Sequence, residues 1–256
     1  MGRPWFHNKS FKRGLGKKRA QPLNSDVIPI NKSNMWPFNK IQERKIRNAF
    51  KGYLGDELTE KILKNPAKLK LGADIRELTV SVTNMTGYVG IAEEMPLADL
   101  HNFMNKYFEF NCDEILKAEG CIDKLEGDKI ISFWNLFEAG THSAQLACES
   151  AIAQINSMNQ FYDWAKSKGY PCPKIRIGIN TGEMVIGNLG TKTRMDFTVM
   201  GDATNIAFRI EEAAKVNDIK ILVGHSTREN TTGFDFGEAV TIEYSNSTIE
   251  GYPLIN

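Results

Sequence analysis

The sequence predicts an α+β sandwich, with helices on one face of a mainly antiparallel sheet. Two features point there. Short apolar segments come in pairs around tight turns, as antiparallel hairpins do. Long amphipathic helical segments stand between those pairs. The chain has 256 residues, of which 41% are hydrophobic. That supports one domain of about 150–200 residues with extensions.

Taken in order, residues 1–37 are expected to form a basic, unstructured tail. Gly, Pro, Asn, Lys and Arg dominate there and apolar periodicity is absent. Residues 38–70 read as a linker helix, with Ile46, Phe50, Tyr53, Leu54 and Leu58 mostly at three- and four-residue steps before Pro66. The globular domain is expected over 71–245. Leu78 to Thr83 is its first strand and residues 85–95 loop back. Pro96 opens a helix with Leu100, Phe103, Met104, Tyr107, Phe108 and Ile115 on one face, and Gly120 ends it. Ile122 to Leu125 and Ile130 to Trp134 form a hairpin in which Gly127 permits the turn. His142 to Lys168 is a second long amphipathic helix, whose Ala, Met and aromatic content reads as core packing. Lys174 to Asn180 and Met184 to Ile186 read as strands joined by a turn at Thr181-Gly182. A helix from Ala203 to about Ala214 and a strand from Ile219 to Val223 complete the pattern. Residues 246–256 are expected to be a polar tail.

Net charge is +1, which gives no reason to expect a nucleic-acid partner. Its distribution is uneven. Residues 1–20 hold seven Lys or Arg and no acid, against 25 basic and 31 acidic residues beyond them. With Trp5, Phe6 and Phe11 interleaved, that tail has the composition for weak contact with an anionic membrane surface, or for a solvated leader. Cys112, Cys121, Cys148 and Cys172 lack metal-ligand spacing and fit reduced thiols of a cytoplasmic protein, in places peripheral to the membrane. No apolar run reaches the length of a membrane span.

The hairpin places Asp128 at a turn tip beside Gly127. A carboxylate there suits a divalent cation that carries phosphates. Taken alone, the simpler reading is preferred, in which Asp128 only caps the turn. The segment does not stand alone. Its string DKLEGDKIISFW resembles the metal-site hairpin of the class III nucleotidyl cyclases, the adenylate and guanylate cyclase catalytic domain. Ile177 to Glu211 resembles the second signature of that family, and Arg76 to Glu93 falls where its first metal strand belongs. Three ordered blocks at family-like spacing are more specific than any one of them.

The resemblance implies a ferredoxin-like sandwich with added elements. It also implies conversion of a nucleoside triphosphate to a cyclic nucleotide and pyrophosphate at a dimer interface. The implied cofactor is Mg2+ or Mn2+ in a two-metal site, with Asp128 as one ligand. Lys124 and Thr198 match the residues that read the base, and Lys with Thr there goes with adenine, so the implied substrate is ATP. Asn205 and Arg209 match the pair that orients the ribose and stabilises the transition state. They lie four residues apart, on one helix face. A planar guanidinium suits phosphate oxygens. Arg194 is a further phosphate candidate.

One departure stands out. Where the family has its first metal aspartate, this chain has Asn84, in Val82-Thr83-Asn84-Met85-Thr86-Gly87-Tyr88. An amide oxygen can coordinate a cation but brings no charge, and Met85 can add its backbone carbonyl. One metal position is therefore degenerate. Replacing Asn84 by Asp is expected to raise turnover about tenfold or more. Three readings follow: a homodimeric adenylate cyclase of reduced activity, the base-reading half of a heterodimer, or a nucleotide-binding pseudocyclase. The family's late lysine is also missing, with Glu250-Gly251 as the nearest remnant.

Overall fold

The computed structural model describes Arg44 and residues 72–135, 142–191 and 195–255. The expected basic tail, the linker helix (Arg44 aside) and Arg194 lie outside the described residues. Strands are β1 (Gly72–Met85), β2 (Cys121–Glu126), β3 (Lys129–Trp134), β4 (Ile175–Gly190), β5 (Met195–Met200), β6 (Ile221–Gly224), β7 (Val240–Tyr244) and β8 (Ser247–Pro253). Helices are α1 (Tyr88–Glu94), α2 (Leu97–Lys117), α3 (Ser143–Lys168), α4 (Asp202–Val216) and α5 (His225–Glu229).

The strands form one sheet in the order β2-β3-β1-β4-β6-β8-β7, with β5 paired to β4. All pairings are antiparallel except β4 with β6. The expected mixed α+β architecture with a mainly antiparallel sheet is therefore what the chain adopts.

Three details differ from expectation. First, helices cover both faces of the sheet. Met85, Ile175, Ile177 and Ile179 pack with Phe103, Tyr107 and Phe161 of α2 and α3. Leu78, Val80 and Val82 face the other way and pack with Ala203 and Ala207 of α4. Because side chains alternate across a strand, a strand apolar at both odd and even positions must be covered twice.

Second, no turn breaks β4 at Thr181-Gly182. The strand runs on, paired with β1 from Gly72↔Asn188 to Met85↔Ile175. Gly182 is there for space: a Cβ would come within 2.9 Å of the Ala203 Cβ. At Gly178 a Cβ would collide with the Glu211 amide and the Ala207 carbonyl. Two glycines on one face of β4 thus let α4 lie almost on the sheet backbone.

Third, the expected polar tail contains strand β8, Ser247–Pro253. β8 pairs with β6 through Leu222↔Pro253 and Gly224↔Gly251, and with β7 through Ile242↔Ile249. Tyr252 and Leu254 join the main core. The segment expected to loop back at 85–95 also contains the short helix α1.

Candidate active site

Three groups of side chains hold the residues that the sequence singles out. The first lies where β1 ends beside the β2–β3 turn. Gly127 takes a left-handed φ of 63°, which makes the tight turn possible. Tyr107 of α2 donates its hydroxyl to the Asp128 carbonyl at 3.1 Å and fixes the turn from beneath. Burial pushes the Asp128 pKa up, while its own backbone amide, that of Met85 and the charges of Lys129 and Lys215 oppose the rise.

Asn84 lies opposite Lys129 in the β1–β3 register and is 7% exposed. Its Nδ2 donates to the Glu211 carboxylate at 3.0 Å, and its Oδ1 is buried with no hydrogen-bond partner. Glu211 comes from α4 and is 3% exposed. Burial pushes its pKa up; the Asn84 bond, Lys129 and Lys215 lower it, and the Asp128 charge raises it. Met85 points its side chain into the opposite core, so only its backbone is at this place.

Sequence reasoning passed over Glu211. The signal is visible in retrospect, because Ala203, Ala207, Ile210, Glu211 and Ala214 are the buried positions of α4. A carboxylate within an apolar helical stripe calls for a partner.

The second group joins two hairpins. The β2–β3 register shifts between Ile122 and Lys124, so Asp123 is the extra residue of a bulge. A bulge re-aims the side chains beside it. Lys124 pairs with the Asp123 carboxylate at 3.1 Å. Thr198 of β5 donates its hydroxyl to the same carboxylate at 3.3 Å. The Asp123 side chain is 5% exposed and that of Lys124 about half exposed. Burial raises the Asp123 pKa; the Lys124 and Thr198 bonds work against it, and Asp196 adds to it. Two residues 74 positions apart in sequence are thus tied together by an aspartate that the sequence reading did not single out.

The third group is the outer side of α4. Asn205 and Arg209 are exposed, on the opposite side from Ala207 and Glu211. The Arg209 guanidinium pairs with Glu212 at 2.7 Å. Tyr244 of β7 donates its hydroxyl to Asp202 and lies within reach of Asn205 and Arg209. So α4 sends Glu211 inward to its own sheet and Asn205 with Arg209 outward. Glu250 accepts a hydrogen bond from Tyr252.

A cation at the first group would meet oxygen donors: Asp128, Glu211, the unpartnered Asn84 Oδ1 and nearby backbone. That donor set suits a hard divalent ion. Among the described residues no three His, Cys, Asp or Glu side chains cluster as a ready metal cage. Nor is any described helix long and apolar enough to cross a membrane.

The site thus combines a carboxylate at a hairpin turn, a second carboxylate from α4 and, on the outer side of that helix, an exposed Asn/Arg pair. Residues 73–254 match the model of the adenylate and guanylate cyclase catalytic domain, and the chain belongs to that family. It is 30% identical over 226 residues to an adenylate cyclase of Anabaena cylindrica, covering 83% of this chain and 43% of the relative. It is 30% identical over 136 residues to adenylate cyclase 1 of Rhizobium meliloti strain 1021, covering 53% of this chain and 20% of the relative. The chain therefore spans less than half the length of either. Among solved structures, the adenylyl cyclase CyaB from P. aeruginosa superposes with a TM-score of 0.65 at 27% identity, over 73% of this chain and 97% of that one. The guanylyl cyclase Cya2 gives 0.67 at 22% identity, over 72% and 94%, a likeness of fold.

Proposed function

We propose that the chain is the catalytic domain of an adenylate cyclase, which converts ATP to cyclic AMP and pyrophosphate at a site shared by two cyclase domains. The observation that carries the choice of ATP is the convergence of Lys124 and Thr198 on Asp123. The carboxylate holds the lysine ammonium and the threonine hydroxyl side by side, so both face one base edge together. The adenine edge offers a ring-nitrogen acceptor for Lys124 and an amino donor for the Thr198 oxygen.

In the reaction the ribose 3′-oxygen attacks the α-phosphorus. The bond from that phosphorus to the bridging oxygen breaks, pyrophosphate leaves with the electron pair, and the hydroxyl proton passes to solvent. Asn205 orients the ribose. Arg209 meets the charge that develops on the phosphoryl oxygens, and its planar fork fixes their geometry. Mg2+ or Mn2+, held by Asp128, Asn84 and the Met85 backbone, would supply positive charge to the attacking oxygen and the triphosphate.

Asn205 and Arg209 face solvent, away from the side of α4 that carries Glu211 and meets Asn84. That separation supports a divided site, in which the Asn/Arg pair of one domain completes the Asp128 group of another. The other domain is a second copy of this chain or a different cyclase chain. Asn84 favours the second possibility as an alternative, with this chain as the base-reading half.

The test is a cyclase assay on the purified chain, with ATP or GTP and with Mg2+ or Mn2+. The expected result is cyclic AMP from ATP in excess of cyclic GMP from GTP. A preference for GTP would overturn the base assignment. Product only after adding a cyclase chain with both aspartates would select the heterodimer.

A further inference from the structure

We propose that Glu211 supplies, from helix α4, the metal-binding carboxylate that position 84 lacks. Asn84, Glu211 and Asp128 then form one divalent-cation site with the two negative charges of an aspartate pair. The inference rests on the cyclase reading and deepens it.

Hydrogen-bond direction fixes how the Asn84 amide is turned. An ionised carboxylate only accepts, so the Asn84 amide must turn its Nδ2 toward Glu211, at 3.0 Å. The Oδ1 of the same planar group is left without a donor. Asn84 is 7% exposed, so an unpaired acceptor there is costly. A divalent cation removes that cost, since it takes an amide oxygen and two carboxylates as ligands at once.

The backbone explains how Glu211 reaches this place. The turn of α4 that carries Ala207 and Glu211 sits directly over Gly178 of β4. Any side chain at 178 would lift the helix and withdraw the carboxylate. Arg176, not Gly178, pairs with Asn84 across the β1–β4 ladder, and its guanidinium is turned away to Asp218. The positive groups that remain near are Lys129 and Lys215. The Lys129 ammonium lies over the Phe208 ring at 5.4 Å. The site thus has two carboxylates and an amide oxygen, with both lysines on its margin.

The experiment reads cation binding rather than turnover. Mn2+ is titrated into the full chain with 3′-deoxy-ATP, which lacks the attacking oxygen, and free Mn2+ is followed by electron paramagnetic resonance. Variants are Asp128→Asn, Glu211→Gln and the double exchange Asn84→Asp/Glu211→Gln, with thermal melting as the fold control. Glu211→Gln is expected to weaken Mn2+ binding about tenfold or more, as loss of a direct charged ligand should. The double exchange moves the carboxylate across the hydrogen bond and restores binding to within about threefold of wild type.

Wild-type affinity in Glu211→Gln, with loss in Asp128→Asn, would overturn the role of Glu211 and leave the cyclase reading intact. Loss in Glu211→Gln that the exchange does not restore would mark Glu211 as structural only and also overturn the proposal. No binding by the wild-type chain would overturn the cation site itself, and Mn2+-dependent cyclic AMP formation would then decide the cyclase reading separately. If Glu211→Gln does not fold, the double exchange decides alone: retained affinity supports the proposal and lost affinity overturns it.

Discussion

The two faces of the β1–β4 ladder are built by opposite rules. One face carries Met85, Ile175, Ile177 and Ile179 against Phe103, Tyr107 and Phe161, large apolar groups in a close-packed layer. The other carries Gly178, Gly182, Asn84 and Asn180 against Ala203, Ala207 and Glu211 of α4. There Leu78, Val80 and Val82 still pack against Ala203 and Ala207, but small and polar side chains lie beside them and the helix backbone comes down to the strand. The first face stabilises by burying large apolar groups. The second buries area as well, and also brings polar groups from several elements to fixed positions. Stability is shared by both faces of the sheet, and the polar chemistry gathers on one.

The largest way to break that division is Phe161→Ala. Phe161 is fully buried and meets Phe103 edge-on with ring centres 5.3 Å apart. Its loss should cost about 3–5 kcal/mol of stability, read by denaturant unfolding, while turnover per folded molecule is unchanged. Arg209→Ala should do the reverse. Turnover should fall by about 100-fold or more, equivalent to about 2.7 kcal/mol of barrier. The melting temperature should hold, because the Arg209–Glu212 pair is a surface ion pair worth under about 1 kcal/mol. A variant that lost both together would show that the two faces are not independent.

Asn84→Asp sharpens the comparison on the polar face. Read from sequence, it should raise turnover about tenfold or more. With the Glu211 carboxylate already 3.0 Å from the amide nitrogen it replaces, part of that gain is forestalled. The expected rise is therefore below about tenfold alone and reaches that size only when Glu211→Gln is the background. Steady-state rates of the four members of the cycle check it.

Much of the apolar face was legible in the sequence, and less of the polar one. The helices α2 and α3 announce themselves through the spacing of Phe103, Tyr107, Ala147, Ala151 and Phe161. The β2–β3 hairpin is legible because Gly127-Asp128 interrupts two apolar runs. Gly182 misled, because a glycine between strands reads as a turn, and only the approach of Ala203 explains it otherwise. The β7–β8 hairpin was missed because its turn residue, Ser245 at φ 54°, is not a common turn former in that conformation.

At the site, Lys124, Asp128, Thr198, Asn205 and Arg209 were singled out by resemblance. Asp123 and Glu211 were not, because what distinguishes them is burial. A carboxylate in a sequence shows its charge but not its exposure. Asp123 became visible through its bonds to Lys124 and Thr198, and Glu211 through its bond to Asn84.

The central claim is that the site is completed between two domains, one giving the Asp128 group and the other Asn205 and Arg209. Mixing Asp128→Asn with Arg209→Ala tests it most directly. Each variant alone should be inactive. In an equimolar mixture about half of the two-fold symmetric dimers pair the two variants, each with one intact site of two, so the mixture should recover about a quarter of wild-type cyclic AMP formation. A mixture as silent as its parts, beside an active wild type, would contradict the claim and place the whole site within one chain.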